Sequence, residues 1–330
     1  MLRSPLFLML VLLAAMLPDR ARAATDDLLS AIVRVEALVP ADSRTAESLG
    51  QERAGNGVVI GANGLVLTIG YVVLEADRVS ITTAKGGSPV PAQVIAYDHD
   101  TGLGLVRAAS DLGVTPLELG DSTLLKARDR VLVAGFGGAA STQPAYVVSR
   151  RTFAGYWEYL LENAVFTSPP YESFAGAALI DSSGRLAGIG SLFIPDAFQA
   201  GPSGPVIPGN MFIPVEALVP ILDRMIATGR ANDTPKPWIG IQLDERSGHL
   251  FVRRVSPDSP AALAGLKPDD LVLGVGETAT SSLADFYRAL WASGDPGSIA
   301  NIRVLDGLSA KSVEIRTGNR YQYLKLNRTY

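Results

Sequence analysis

Gly55-Asn56-Gly57-Val58-Val59-Ile60-Gly61-Ala62-Asn63-Gly64-Leu65-Val66-Leu67-Thr68 is the stretch on which the fold turns. Two apolar runs, 57–60 and 65–68, flank an Asn-Gly pair whose residues both tolerate positive φ, which predicts a β-hairpin. Outward from it, short apolar runs at 78–82, 91–97, 104–107, 129–135, 164–167, 177–180 and 186–190 are separated by Gly, Asn, Asp and Pro. Such punctuation predicts an all-β barrel or sandwich region. A short polar segment before it, 25–29, reads as helical, and Gly135-Phe136-Gly137-Gly138 reads as a turn.

The pattern changes after residue 214. Val215, Leu218, Val219, Leu222 and Ile226 recur at helical spacing, and Gly229 stands where a helix would stop. The polar, Pro-containing segment 231–237 reads as a linker. Beyond it, strands at 250–255, 271–275 and 299–305 alternate with helices at 260–264 and 283–292, which predicts a compact α+β module.

Composition sets outer limits. The chain has 330 residues, 47% hydrophobic and 19% charged, and no Cys, so it has length enough for two or three globular domains and no disulfides. Its net charge of -4, without clustered Lys and Arg, gives no footprint for nucleic acid. Two separated His and no Cys predict no metal centre, and no cofactor motif is present. Arg3, an apolar run over 6–17 and Ala21-Arg22-Ala23 have the organisation of a secretory signal, with cleavage predicted after Ala23. The apolar run is shorter than the roughly 20 residues that span a bilayer, so no stable membrane span is expected after cleavage.

Several segments, in order, resemble the HtrA/Deg family of trypsin-like serine proteases. The 55–68 hairpin resembles the family's paired GSGVII and GYILT strands, and Asn210-Met211-Phe212-Ile213-Pro214-Val215 resembles its FAIP strand. Pro237-Trp238-Ile239-Gly240-Ile241 and Val255-Ser256-Pro257-Asp258-Ser259-Pro260-Ala261, continuing to Leu271, resemble its PDZ domain. The resemblance implies a mostly β fold, a trypsin-like double β-barrel followed by an α+β PDZ domain. The organisation is then a signal peptide (1–23), a (pseudo)protease double barrel with a linking helix (24–230), a linker (231–237), a PDZ domain (238–318) and a C-terminal tail (319–330).

The same resemblance locates the catalytic positions. The family's base, orienting acid and nucleophile are His, Asp and Ser; here Tyr71, Gly102 and Ala175 stand in their places. A phenol is a poor base at neutral pH, Gly102 has no side chain, and Ala175 has no hydroxyl. Glu172-Ser173-Phe174 replaces the family's Pro-Gly-Asn, and Phe174 is expected to fill space that substrate occupies in relatives. His99 is expected to be a solvated loop residue, with Asp98 and Asp100 as turn formers. The loop 191–209 corresponds to one that shapes the specificity pocket in active relatives.

For the PDZ domain the resemblance implies peptide binding by strand addition. Trp238, Ile239, Gly240 and Ile241 would form the carboxylate loop, Ile241 and Leu243 would begin the pairing strand, and Phe286, Tyr287 and Leu290 on the second helix would line the groove. Asp269 takes the position of a family glycine and has to adopt its backbone geometry. The expected function is that of an exported, inactive relative that binds a polypeptide or protein C-terminus. The alternatives are an active serine-type endopeptidase using non-standard residues, and an accessory subunit of an exported complex. Active relatives commonly oligomerise through an N-terminal segment; 24–48 here leaves a homo-oligomer open.

Overall fold

The computed structural model describes residues 19–201 and 204–326. The apolar part of the predicted signal lies outside them. A helix, Asp19–Ser30, crosses the predicted cleavage point and leads into the first strand. Among the described residues no helix is long and apolar enough to cross a membrane.

Six strands close the first barrel: β1 (Ile32–Leu38), β2 (Glu52–Gly61), β3 (Leu65–Ile69), β4 (Arg78–Thr82), β5 (Val90–Tyr97) and β6 (Leu103–Ala108), in spatial order β1-β2-β3-β6-β5-β4. Every residue of β3 is buried, because it crosses the barrel wall between two strands and packs on the core. The 55–68 hairpin forms, but by a different turn from the predicted one. Only Gly64 has positive φ, at 72°, and the register shifts between Val59 and Gly61, as in a three-residue loop closed by a glycine bulge.

A second closed barrel follows: β7 (Arg130–Ala134), β8 (Thr142–Gly155), β9 (Tyr159–Ser168), β10 (Ala178–Ile180), β11 (Leu186–Gln199) and β12 (Val206–Pro214), in order β10-β11-β12-β9-β8-β7. Here the structure corrects the reading of 191–209 as a loop. Most of it is the extended hairpin of β11 and β12, with Phe198 paired to Ile207. The predicted helix over 215–226 is also shorter. Val215–Ala217 form a 3-10 turn and the helix proper is Leu222–Thr228, ended by Gly229 at φ 74°. Pro220 explains the break, since it has no N–H to give and disfavours helical backbone at Val219 before it.

The last domain is a sheet of order β13-β14-β15-β17-β18, from β13 (Ile241–Arg246), β14 (His249–Val255), β15 (Leu271–Val275), β17 (Ile299–Asp306) and β18 (Ser309–Arg316), with β16 (Thr278–Ala279) paired to β15. Helices Pro260–Leu263 and Leu283–Trp291 pack on it, each capped by a serine side chain, Ser259 and Ser282. Asp269 takes the glycine geometry at φ 71°. β13 is an edge strand. Trp238 and Gly318 exchange hydrogen bonds of 3.0 and 2.7 Å, which brings the two ends of the domain together. The segment after Gly318 returns to the first barrel, where Leu324 and Leu326 cluster with Leu74 and Tyr97.

Candidate functional site

The three positions to which the resemblance points lie where the barrels meet: Gly102 faces Tyr159 and Ile213 of the second barrel, and Ala175 meets Gly55 of the first. Tyr71 lies in the single helical turn Gly70–Val73 after β3. The Gly70 N–H donates to the Gly102 carbonyl at 2.8 Å, which seats the β5–β6 turn against that helix. A Cβ on Gly55 would stand 2.9 Å from Val72 and 3.1 Å from the Ala175 carbonyl oxygen, so the surroundings of 71 and 175 meet over one glycine.

Each of the three positions is held by its own contacts. The Tyr71 hydroxyl donates to the Ser191 carbonyl at 2.9 Å, and burial pushes its pKa far above that of a free phenol. Gly102 sits at φ 79°, and a Cβ there would meet the Tyr159 ring at 3.4 Å. Tyr159 is itself fixed by donating to the Thr101 carbonyl at 2.7 Å. Ala175 occupies a turn held by Asn56, whose N–H reaches the Ala175 carbonyl at 2.7 Å and whose side-chain amide reaches the Ser173 and Ala175 carbonyls at 2.7 and 2.9 Å. Asn56 Oδ1 accepts from the Phe136 N–H at 2.7 Å, so this side chain joins the 173–175 turn to the β7–β8 connection. Phe174 is half-buried rather than sealed into the cleft.

His99 departs from the expectation of a solvated loop residue. Its ring is gripped edge-on between Tyr97 and Tyr321, with centroids 4.5 and 4.4 Å away. Both ring nitrogens are shut off from solvent and lack a hydrogen-bond partner among the described residues. Burial, and then Arg320 and Arg230, hold its pKa well below the usual histidine value. Asp98 does form the turn expected of it, accepting from the Thr101 N–H and hydroxyl at 2.8 and 2.7 Å.

A pH dependence follows from the direction of the His99 shift. The folded protein resists protonating this ring, whereas the unfolded chain takes the proton near pH 6.5, so this contribution to stability is complete above that pH and is lost below it. The slope is at most about 1.4 kcal/mol per pH unit. Between pH 6.5 and 5 the wild type is expected to lose up to about 2 kcal/mol more than His99→Phe, measured by urea unfolding. Equal losses in the two proteins would remove His99 as the cause.

In the PDZ domain the carboxylate loop is occupied. The N–H groups of Ile239, Gly240 and Ile241 donate to the side-chain carboxylate of Glu158 at 3.1, 2.7 and 2.9 Å. Gly240 is required here, since it sits at φ 86° and a Cβ would lie 2.3 Å from Ser259 Cβ. Burial raises the Glu158 pKa, and the three N–H groups and Arg320 act in the opposite direction. Leu243 on β13 donates its N–H to the Tyr156 carbonyl at 3.0 Å. The Tyr287 hydroxyl donates to the Gly155 carbonyl at 2.7 Å and accepts from the Glu158 N–H at 3.2 Å.

Two features of the expected groove are thereby corrected. Trp238 is not one of the cradling donors; its N–H is spent on Gly318 and its ring packs on Tyr323 with centroids 4.5 Å apart. Phe286, Tyr287 and Leu290 are all fully buried, so no open apolar wall is presented. All three belong to the core of the PDZ domain, and the Tyr287 hydroxyl also meets residues 155–158 of the second barrel. Sequence reasoning passed over Glu158, Tyr156 and Asn56, because nothing local marks them.

Comparisons agree with this architecture. Residues 55–189 match the family profile of a trypsin-like peptidase domain, and residues 237–317 match that of a PDZ domain. The fold is similar to that of the solved "HtrA-type protease AlgWS227A with tripeptide", with a TM-score of 0.53 and 19% identity, over 89% of this chain and 95% of that one. By sequence the chain is 27% identical over 274 residues to the periplasmic pH-dependent serine endoprotease DegQ of Escherichia coli (strain K12), covering 80% of this chain and 59% of the relative. It is 25% identical over 304 residues to a probable periplasmic serine endoprotease DegP-like protein of Pseudomonas fulva (strain 12-X), covering 86% of this chain and 60% of the relative. The chain thus spans about 60% of the length of these curated relatives. Fold and order of domains define a trypsin-like peptidase scaffold joined to a PDZ domain. The two profile matches in this order, together with these relatives, support an HtrA/Deg family member.

Proposed function

We propose that this chain is an exported, catalytically inactive HtrA-like protein that binds polypeptides or protein C-termini through its PDZ domain, as an adaptor, scaffold or chaperone-like partner. The observation that carries the reading is the carboxylate held by three consecutive N–H groups of the 239–241 loop. That loop is a carboxylate receptor by its own geometry, whichever carboxylate fills it. Inactivity is supported by Tyr71, Gly102 and Ala175, since fold alone confers no catalysis. Export is supported by the signal-like start and by relatives named as periplasmic.

Titration with labelled peptides that end in an apolar residue and a free carboxylate tests the binding role. Each is expected to bind at least about tenfold more tightly than its C-terminally amidated twin, because charge-assisted hydrogen bonds to the loop are lost in the amide. Equal binding of acid, amide and scrambled peptides would leave the reading without support.

A further inference from the structure

The turn between β8 and β9 reaches across to the PDZ domain in the manner of a bound peptide. Gly155 and Tyr159 are paired, so Tyr156, Trp157 and Glu158 form a three-residue tip. The Tyr156 carbonyl takes the N–H of Leu243 on the free edge of β13, which is the main-chain contact that strand addition uses. Two residues on, Glu158 places its carboxylate on the N–H groups of the 239–241 loop. We propose that residues 155–158 are an internal ligand of the PDZ groove, with the Glu158 side chain standing in for a terminal carboxylate, so that an outside C-terminus enters only by displacing them. The consequence for outside peptides rests on the PDZ reading given above; the internal contact does not.

The backbone at the tip argues that Glu158 is there for its carboxylate. It has φ 57°, the left-handed position that closes a three-residue hairpin and at which glycine is the ordinary choice. A glutamate accepts strain there that glycine would not, and its carboxylate ends in contact with all three loop donors. The surrounding contacts hold the tip in place. Leu160, just beyond it on β9, is buried in the PDZ core, Trp157 stacks on Tyr159 at 5.4 Å, and the Trp157 carbonyl accepts from Arg320 at 3.2 Å. The groove is therefore filled by main chain, side chain and carboxylate together.

Because glycine suits that backbone position, Glu158→Gly removes the carboxylate and relieves the turn, which keeps failure to fold from clouding the result. Glu158→Gln, which keeps the shape and removes the charge, serves as the companion variant. Full chains are compared by amide hydrogen exchange and by titration with the free-carboxylate peptide pool and its amidated twins. In Glu158→Gly the amides of Ile239, Gly240 and Ile241 are expected to exchange at least about tenfold faster than in wild type, and peptide affinity to rise by a similar factor, with Glu158→Gln between the two. Unchanged exchange at 239–241 overturns the internal ligand. Wild type that binds free-carboxylate peptides as tightly as Glu158→Gly, and still discriminates against amides, overturns it too while leaving the PDZ reading standing. Faster exchange without peptide binding in any variant supports the internal ligand and defeats the PDZ reading instead.

Discussion

Incubated with unfolded casein, the purified protein is expected to release peptides no faster than a buffer control, and a fluorophosphonate probe is expected to leave it unlabelled. Loss of a serine nucleophile or its base costs a serine protease on the order of 10⁶ in kcat, and the proposed reading has both replaced. Returning the hydroxyl alone, as Ala175→Ser, is expected to restore nothing measurable. Tyr71 would have to accept the proton, yet its hydroxyl already donates to the Ser191 carbonyl and its pKa is pushed away from the working range. The triple variant Tyr71→His, Gly102→Asp, Ala175→Ser meets a further obstacle. A side chain at 102 has to be accommodated at φ 79° against Tyr159, whose hydroxyl is tied to Thr101. Serine-dependent labelling of the wild type, with cleavage that survives stringent purification, would overturn the assignment.

Glu75→Ala is expected to lower stability by about 3 kcal/mol or more, read as a fall in the urea midpoint at pH 7. Glu75 is 3% exposed, and its carboxylate accepts from the Arg44 N–H at 3.1 Å, the Thr45 N–H and hydroxyl at 2.8 and 2.6 Å, and the Lys325 N–H at 2.8 Å. Thr45 passes the network on, since its Oγ1 also accepts from Arg53 at 2.9 Å. Burial lowers the Arg53 pKa and the Glu75 charge works against that, so removing the carboxylate leaves a desolvated guanidinium with its counter-charge gone. Several buried donors would be orphaned at once. The φ of 60° at Glu75 is an added constraint that alanine bears no better. Glu75→Gln keeps one acceptor oxygen and is expected to fall between the two; a loss below about 1 kcal/mol for Glu75→Ala would show that the network is not cooperative.

What could be read from the sequence was what neighbouring residues decide among themselves. The 55–68 hairpin, though not its turn type, the stop at Gly229 and the backbone geometry of Asp269 are local, and each appears where it was expected. β1, β8 and β18 escaped notice. In β8 few positions are fully buried, so apolar alternation is weak, and its partners supply the reason for its being a strand. The 215–226 helix was overextended because periodicity outweighed Pro220. At the candidate site the family pattern pointed to Tyr71, Gly102 and Ala175, but Glu158, His99 and Glu75 each depend in part on contacts that lie 81, 222 and 250 positions away. Nothing in Gly155-Tyr156-Trp157-Glu158 reports that a PDZ loop will close on it.

The return of the chain after Gly318 to the first barrel changes what the PDZ domain is free to do. A domain hung from one connection can swivel about it; this one is fastened at entry through 231–237 and again at exit, where Tyr321, Leu324 and Leu326 lie against Leu74, Tyr97 and His99. A door with fixings on both edges does not open. Any large excursion of the PDZ domain therefore has to peel residues 319–326 from the first barrel as well as free the 155–158 tip.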